Sequence, residues 1–301
     1  MLWQFQTLVF LALYLAFSVS LTRRFWAGGP SAEGFLAIVF PILWIFFVIW
    51  LTITPKGQQV AVRLLNDLRV PEHWLNEAIC LMAMLPCTIL MILYLQFPQI
   101  ADSYHSLGLK AYEAGQLSVA EADFKIAIAF NPEHAGARYG MAKLYENQNN
   151  RIAARQEYQK AVQSGYIEAF APLARLYILD KKPDLAVQLL MQGLNQVKDD
   201  ESALVKYSLH THLGWARLEQ NRYDEAKFHL EDALALSKTL QQDQIQATPH
   251  CLLAQVLERQ KDDVRAALVQ WERCAAFASS TNPDEDKWAG LARQRLERNR
   301  K

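Results

Sequence analysis

The sequence predicts an all-α protein in two parts, three membrane-spanning helices followed by a stack of helical hairpins. Three observations lead to this fold class. Residues 1–100 contain three long apolar runs without a charged side chain. Residues 101–301 repeat a pattern of two amphipathic helices at a spacing of about 34 residues. The first part carries only nine charged residues, whereas the second carries 26 basic and 27 acidic ones.

The three apolar runs cover residues 2–21, 35–53 and 78–97. A transmembrane helix needs roughly 17–25 apolar residues, so each run is long enough to cross a bilayer. No basic residue precedes the first run, and Arg23 and Arg24 follow it, which favours an uncleaved anchor over a secretory signal peptide. We therefore predict that residues 1–100 are embedded in a lipid bilayer. The alternative is that the runs are helices buried in a protein core.

Residues 55–74 place apolar side chains among polar and charged ones in a pattern that suggests an amphipathic helix. Such a helix either lies along a membrane surface or packs on a neighbouring helix. Three spans would place this loop and the repeat part on opposite sides of a membrane. Basic residues near the spans number three on each side, so charge alone does not orient the chain.

The second part begins with a clear helical hairpin at residues 101–134. One helix is expected from about Ala101 to Ala114 and another from about Ser118 to Phe130. Small residues on the facing sides allow close approach of the two backbones, with larger side chains filling the space between them. The small residues are Gly108, Ala120 and Ala127, and the larger ones are Leu107 and Phe124. One hairpin cannot bury its own apolar face, so several copies are expected to stack.

The length of this hairpin and the order of its packing residues resemble a tetratricopeptide repeat (TPR). The residues that carry the resemblance are Tyr104, Leu107, Gly108, Ala120, Phe124, Ala127 and Pro132. The resemblance implies an α-solenoid of four to five repeats with a C-terminal capping helix. The repeats are predicted at about 101–134, 135–166, 167–200, 207–240 and 247–280, and the capping helix at 284–298.

The resemblance also implies that the first helices of the repeats form a concave surface that holds a protein or peptide partner. The residues predicted to bind this partner are Tyr139, Lys143, Asn147, Arg175, Ile178, Trp215 and Leu218. Lys143, Asn147 and Arg175 are of the types that grip a carboxylate, although scattered charges are also typical of a solvated helix face. Trp215 is expected either to anchor a partner or to pack between repeats.

The sequence contains no motif that indicates catalysis, a cofactor or a small-molecule substrate. The balanced charge of residues 101–301 argues against nucleic-acid binding. His210 and His212 point about 200° apart on a helix, so a metal site there would need ligands from elsewhere. Cys251 and Cys274 lie on the two helices of one repeat. They are expected to be packing residues, or a disulfide if this part is in an oxidising compartment.

These features predict a non-catalytic membrane scaffold that binds a partner protein and assists assembly of a membrane complex. The join at residues 93–98, from the third apolar run into the first repeat, is similar to that of the TPR-containing cytochrome c maturation factors. That resemblance implies a multi-pass protein of a bacterial inner membrane that holds an apoprotein on the periplasmic side. The remaining alternative is a docking subunit of a membrane enzyme or transporter.

Overall fold

The structure is a computed structural model in which every regular element among the described residues is helical. It describes residues 54–67, 71, 74–197, 203–240, 247–260, 263–279 and 282–300, and isolated positions between 9 and 51. By compactness the chain divides into two units, Met1–Met141 and Ala142–Lys301. The position of the predicted division, at residue 100, stays a prediction.

Twelve α-helices are numbered here in chain order among the described residues. They are α1 (Pro55–Asp67), α2 (Leu75–Glu113), α3 (Leu117–Phe130), α4 (Ala135–Asn147), α5 (Arg151–Gln163), α6 (Phe170–Leu179), α7 (Pro183–Gln196), α8 (Ala203–Glu219), α9 (Tyr223–Ser237), α10 (Thr248–Gln260), α11 (Val264–Phe277) and α12 (Pro283–Arg300). A short 3₁₀ helix, Ile167–Ala169, precedes α6.

Tight turns with a left-handed residue connect the two helices of the hairpins. Gly115 has φ of 75° between α2 and α3, and Lys181 and Asn221 have φ near 60° in the turns before α7 and α9. Glycine and asparagine adopt this conformation at low cost. Helix α11 begins with a capping residue, Asp263, whose side chain accepts from two backbone N–H groups.

The prediction of three transmembrane helices is wrong for this structure. Among the residues that the structure describes, no helix combines the length and the apolar character that crossing a bilayer requires. The third run, 78–97, is not a separate helix but the interior of α2, which continues to Glu113 and packs against α3. The first two runs, 2–21 and 35–53, lie largely outside the described residues.

The described side chains of the three runs are buried at some positions and exposed at others. Tyr14, Val48, Leu51 and Cys80 are buried inside the protein, whereas Leu81 and Leu95 are 62% and 63% exposed. A run of apolar residues therefore does not by itself identify its surroundings. The prediction of a multi-pass inner-membrane protein is wrong for the same reason as the predicted spans. The resemblance to the cytochrome c maturation factors depended on those spans and is not supported by the structure.

Helix α1 corresponds to the predicted amphipathic segment, and it ends at Asp67. It contacts α2, and Ala61 on its inner face is buried. Of the two alternatives for this segment, the structure therefore shows packing on a neighbouring helix.

The core of the first unit centres on Phe124 of α3, which is fully buried. Its ring lies over Gly108 of α2 and Gly140 of α4, where a Cβ atom would come within 2.7 Å and 2.5 Å of ring carbons. Ala120 and Ala127 are buried beside it, as the pattern predicts. Leu107 was predicted to fill this space, but it is 49% exposed, because the glycines leave room for the phenylalanine ring alone.

The second unit is a stack of hairpins with one continuous core. Helices α6 and α7, α8 and α9, and α10 and α11 form three successive hairpins, and α7 and α9 each contact the first helix of the next hairpin. The core runs from Phe170 in α6 to Trp288 and Ala292 in α12. A disulfide joins Cys251 of α10 to Cys274 of α11, so these residues are the bonded pair that the sequence left as one of two alternatives.

Candidate partner-binding surface

The first helices of the hairpins form one side of the second unit. Helix α8 contacts both α6 and α10, and α10 contacts the C-terminal helix α12. This is the side on which the predicted partner-binding residues Arg175, Ile178, Trp215 and Leu218 were placed. We call the surface formed by α6, α8 and α10 the inner surface.

Arg175 on α6 is the centre of a charged cluster at the inner surface. Its Nη1 donates to Oε1 of Glu146 at 2.8 Å, and its Nε donates to Oδ2 of Asp284 at 2.7 Å. The hydroxyl of Tyr158 donates to the other oxygen of Glu146 at 2.7 Å. Charge-assisted bonds of this kind are about twice as strong as neutral ones. Arg175 is therefore held by two carboxylates of its own chain, from α4 and α12.

An aromatic contact lies on the same side of the unit. The indole rings of Trp215 on α8 and Trp288 on α12 meet edge to face, with their centroids 5.0 Å apart. Both tryptophans are 7% exposed. Edge-to-face geometry is a favourable arrangement for two aromatic rings. Trp215 thus packs against a ring of the C-terminal helix rather than against another repeat.

Glu285 is a third residue of α12 that contacts the inner surface. It is 2% exposed, and one oxygen accepts from the backbone N–H and the hydroxyl of Thr248 at the start of α10. The other oxygen accepts from the backbone N–H of Ser279 at 3.1 Å. A buried carboxylate is tolerated when donors surround it, and here a helix N-terminus adds favourable positive potential.

His212 lies between the charged cluster and the tryptophans. Its Nδ1 donates to the carbonyl of Ser208 at 2.8 Å, and its ring lies 6.3 Å from that of Trp215. The pKa of His212 is lowered to about 4, mainly by burial and to a smaller extent by the nearby charge of Arg175, although the hydrogen bond to Ser208 and the charge of Asp284 raise it. The imidazole is consequently neutral at physiological pH.

The structure brings some of the predicted partner-binding residues together and leaves others apart. Arg175 and Trp215 meet the same helix, α12, whereas Ile178 and Leu218 are buried in the core. Lys143 is partly exposed and Asn147 is exposed in the second half of α4, and the partly exposed Tyr139 belongs to the first unit. The partner-binding role of these seven residues stays a prediction.

Sequence reasoning missed the part that α12 plays at this surface. The helix was predicted to cover the last apolar face, and it does contact α10 and α11. It also carries Asp284, Glu285 and Trp288, which reach α6, α10 and α8 respectively. The available signal was a tryptophan in an otherwise polar helix, preceded by two acidic residues at helical spacing.

Comparisons with known proteins identify the repeat. The family model described as tetratricopeptide repeat matches residues 207–239, which form the hairpin of α8 and α9. The structure from a functional characterization of Pseudomonas aeruginosa pilF has 19% sequence identity and a TM-score of 0.51. The alignment covers 67% of this chain and 89% of that one. No curated protein matches the chain.

Two further solved structures are similar at lower scores. The TPR protein YrrB, whose structure is described as having an unusual peptide-binding site, has 16% identity and a TM-score of 0.44, covering 64% of this chain and 90% of that one. TTC0263, a thermophilic TPR protein in Thermus thermophilus, has 18% identity and a TM-score of 0.47, covering 64% and 98%. The family match shows that residues 207–239 form a tetratricopeptide repeat, and the part of the chain that aligns with the pilF structure, 67% of it, has the same fold.

Proposed function

We propose that this chain is a non-catalytic TPR protein that binds a protein or peptide partner at the inner surface of its second unit. The observation that supports the proposal is that α12 of the same chain packs on this surface. A helix is held there by an Arg–carboxylate pair, a buried carboxylate on a helix N-terminus and an edge-to-face tryptophan contact. These are the contacts by which helical grooves recognise peptides.

The chemistry of α12 indicates what kind of partner segment suits the inner surface. Asp284 and Trp288 are four residues apart and therefore lie on one face of their helix. These two residues already occupy Arg175 and Trp215, so a partner segment needs other residues of the second unit. We propose that an acidic partner segment binds next to α12, at the end of the inner surface where the second half of α4 places Lys143, which is partly exposed, and Asn147, which is exposed.

Substitution of Lys143 and Asn147 tests this proposal. We expect the double variant Lys143→Ala/Asn147→Ala to recover less partner from cross-linked cell extracts than the unchanged protein, because a charged donor and an amide are lost from the contact. The control is Lys160→Ala, which removes an exposed lysine, paired with Glu157, from helix α5. Recovery is quantified by mass spectrometry, and thermal unfolding checks that both variants are folded.

Equal recovery with the double variant and the control would contradict binding at this end of the surface. Arg175→Ala is a less suitable variant, since it would leave Glu146 and Asp284 without the cation that both of them contact. Its loss would lower stability and partner binding together.

A further inference from the structure

Three potential metal ligands meet on the hairpin that forms the matched repeat. His210 comes from α8, and His229 and Asp232 come from α9. One ligand atom of each residue lies within 4.8 Å of the others. The two Nδ1 atoms of the histidines are 3.4 Å apart, and Nδ1 of His210 is 3.6 Å from Oδ2 of Asp232.

The hairpin explains why these residues converge. His229 and Asp232 are three residues apart on α9, so they lie on one face of that helix. This face is turned toward α8, where His210 lies. His212 was the other histidine considered in the sequence, but its Nδ1 is bonded to Ser208. The ligands that His210 lacked in the sequence are therefore supplied by the second helix of the same repeat.

Two of the separations in the cluster are compatible with a tetrahedral metal centre. Two nitrogen ligands, each about 2.0–2.1 Å from a zinc ion at the tetrahedral angle, lie about 3.4 Å apart. The spacing of His210 and His229 matches this value, and that of His210 and Asp232 is close to it.

The surroundings of the three side chains also suit a metal ion. The side chains of His210 and Asp232 are 19% and 40% exposed, so an ion can reach them from solvent. Phe228, exposed beside His229 with the ring centroids 5.2 Å apart, borders the cluster.

We propose that His210, His229 and Asp232 form a binding site for a divalent transition-metal ion of the zinc type. Imidazole nitrogen and carboxylate oxygen are ligands that zinc accepts, and three protein ligands leave a fourth position for water or a donor from another molecule. The bound ion would link α8 to α9 within one repeat. This inference is independent of the proposed partner binding, because it concerns the hairpin alone.

Zinc titration of the full chain tests the site. The protein is prepared without a polyhistidine tag, stripped of metal with EDTA, and kept free of reductant so that Cys251 and Cys274 stay bonded. Isothermal titration calorimetry with zinc chloride is expected to show one equivalent of binding. His210→Ala, His229→Ala and Asp232→Asn are each expected to weaken binding by about tenfold or more, since each removes a ligand.

Matched controls separate the site from general zinc binding by histidines and carboxylates. Asp224→Asn changes an exposed carboxylate on the same helix, and His250→Gln changes a buried histidine that bonds Gln270. Both are expected to bind zinc as the unchanged protein does. Cobalt gives a second readout, because a tetrahedral cobalt site absorbs strongly in the visible range and the three ligand variants should lose this absorption.

Three results would overturn the proposal. These are no zinc binding by the unchanged protein, unchanged binding in all three ligand variants, or equal losses in the two controls. In the first case the cluster is a hydrogen-bonded histidine pair beside a carboxylate. Thermal unfolding is a second test for variants whose stability is altered. Zinc should raise the melting temperature of the unchanged protein and of the two controls, but not that of the three ligand variants.

Discussion

Gly214 determines how closely α8 and α9 approach each other. A Cβ atom at this position would lie 2.5 Å from Cγ of Leu230 and 3.2 Å from the backbone oxygen of Ala226. Leu230 and Ala226 are both fully buried. The leucine and the opposing backbone would therefore have to move together to make room for a methyl group.

We predict that Gly214→Ala lowers the free energy of unfolding by about 1–3 kcal/mol, the usual cost of overpacking a core. The control is Gly290→Ala in α12, where an added Cβ has no neighbour within 4 Å. That change should raise the free energy of unfolding by up to about 1 kcal/mol, because alanine favours a helix over glycine. Urea unfolding measures both. Equal stability of the Gly214 variant and the unchanged protein would contradict the close approach.

His212 connects stability to pH. Its folded pKa is about 4, below the ordinary value of 6.5, because the ring is buried. Above pH 6.5 the ring is neutral in both the folded and the unfolded chain. As the pH falls below that value, only the unfolded chain takes up the proton, so the folded state loses stability down to about pH 4.

The expected loss from His212 is on the order of 1.4 kcal/mol per pH unit within that window. His212→Asn keeps a donor for Ser208 and removes the titration, so this variant should lose less stability on acidification. The measurement is the free energy of unfolding in urea at several pH values between about 7 and 4. Parallel pH profiles for the variant and the unchanged protein would assign the acid sensitivity to other groups.

At the scale of the helices, the disulfide between Cys251 and Cys274 closes the last hairpin. The two cysteines are separated by 23 residues and are fully buried between α10 and α11. A cross-link of this loop length restricts the unfolded chain and typically contributes about 3 kcal/mol.

We predict that reduction of this disulfide lowers the melting temperature, and that Cys251→Ala/Cys274→Ala has a similar effect. Differential scanning calorimetry with and without reductant measures the change. Cys80→Ala is the control for reductant effects on a thiol, since Cys80 is buried and unbonded. The double variant should not respond to reductant. If reductant does not change the melting temperature of the protein without substitutions, the two cysteines are not bonded.

At the scale of the whole molecule, the chain consists of two compact units, Met1–Met141 and Ala142–Lys301. In repeat proteins each hairpin contacts mainly its neighbours, so a local change weakens nearby helices more than distant ones. In the second unit these neighbours are joined by one core from Phe170 to Ala292.

We predict that Gly214→Ala raises hydrogen exchange in α8, α9 and their neighbours α7 and α10, and leaves exchange in α3 of the first unit unchanged. Opening free energies vary along a chain in cooperative units, and hydrogen exchange reports each unit separately. Mass spectrometry of peptic fragments gives the required comparison. A uniform increase over both units would mean that the chain unfolds as a single cooperative body.

The local periodicity of apolar and small residues predicted much of the helical fold. The pattern of small and large residues predicted the hairpins, and Ala120, Phe124 and Ala127 are buried as it requires. The turns were also predictable, because glycine and asparagine mark left-handed positions within a few residues. The apolar runs of residues 1–100 were interpreted as transmembrane helices, whereas no helix among the described residues has the length and apolar character to cross a bilayer.

The candidate surface was only partly predictable. Arg175 and Trp215 were identified from their positions in the first helices, but their contacts with Asp284 and Trp288 were not. Ile178 and Leu218 occupy positions that the resemblance assigns to a concave surface, yet their side chains are buried. The register of a repeat places a residue on a helix, whereas its exposure depends on what the rest of the chain lays over it.

The sequence by itself determined the helical hairpins, because the residues that specify a hairpin lie within about 34 positions of one another. Only the tertiary structure decided where the C-terminal helix rests, since Arg175 and Asp284 are 109 residues apart and no local pattern links them. The tertiary structure also places His210 beside His229. The three ligands of the proposed zinc site come from two antiparallel helices, and their distances follow from helix packing rather than from spacing in the chain.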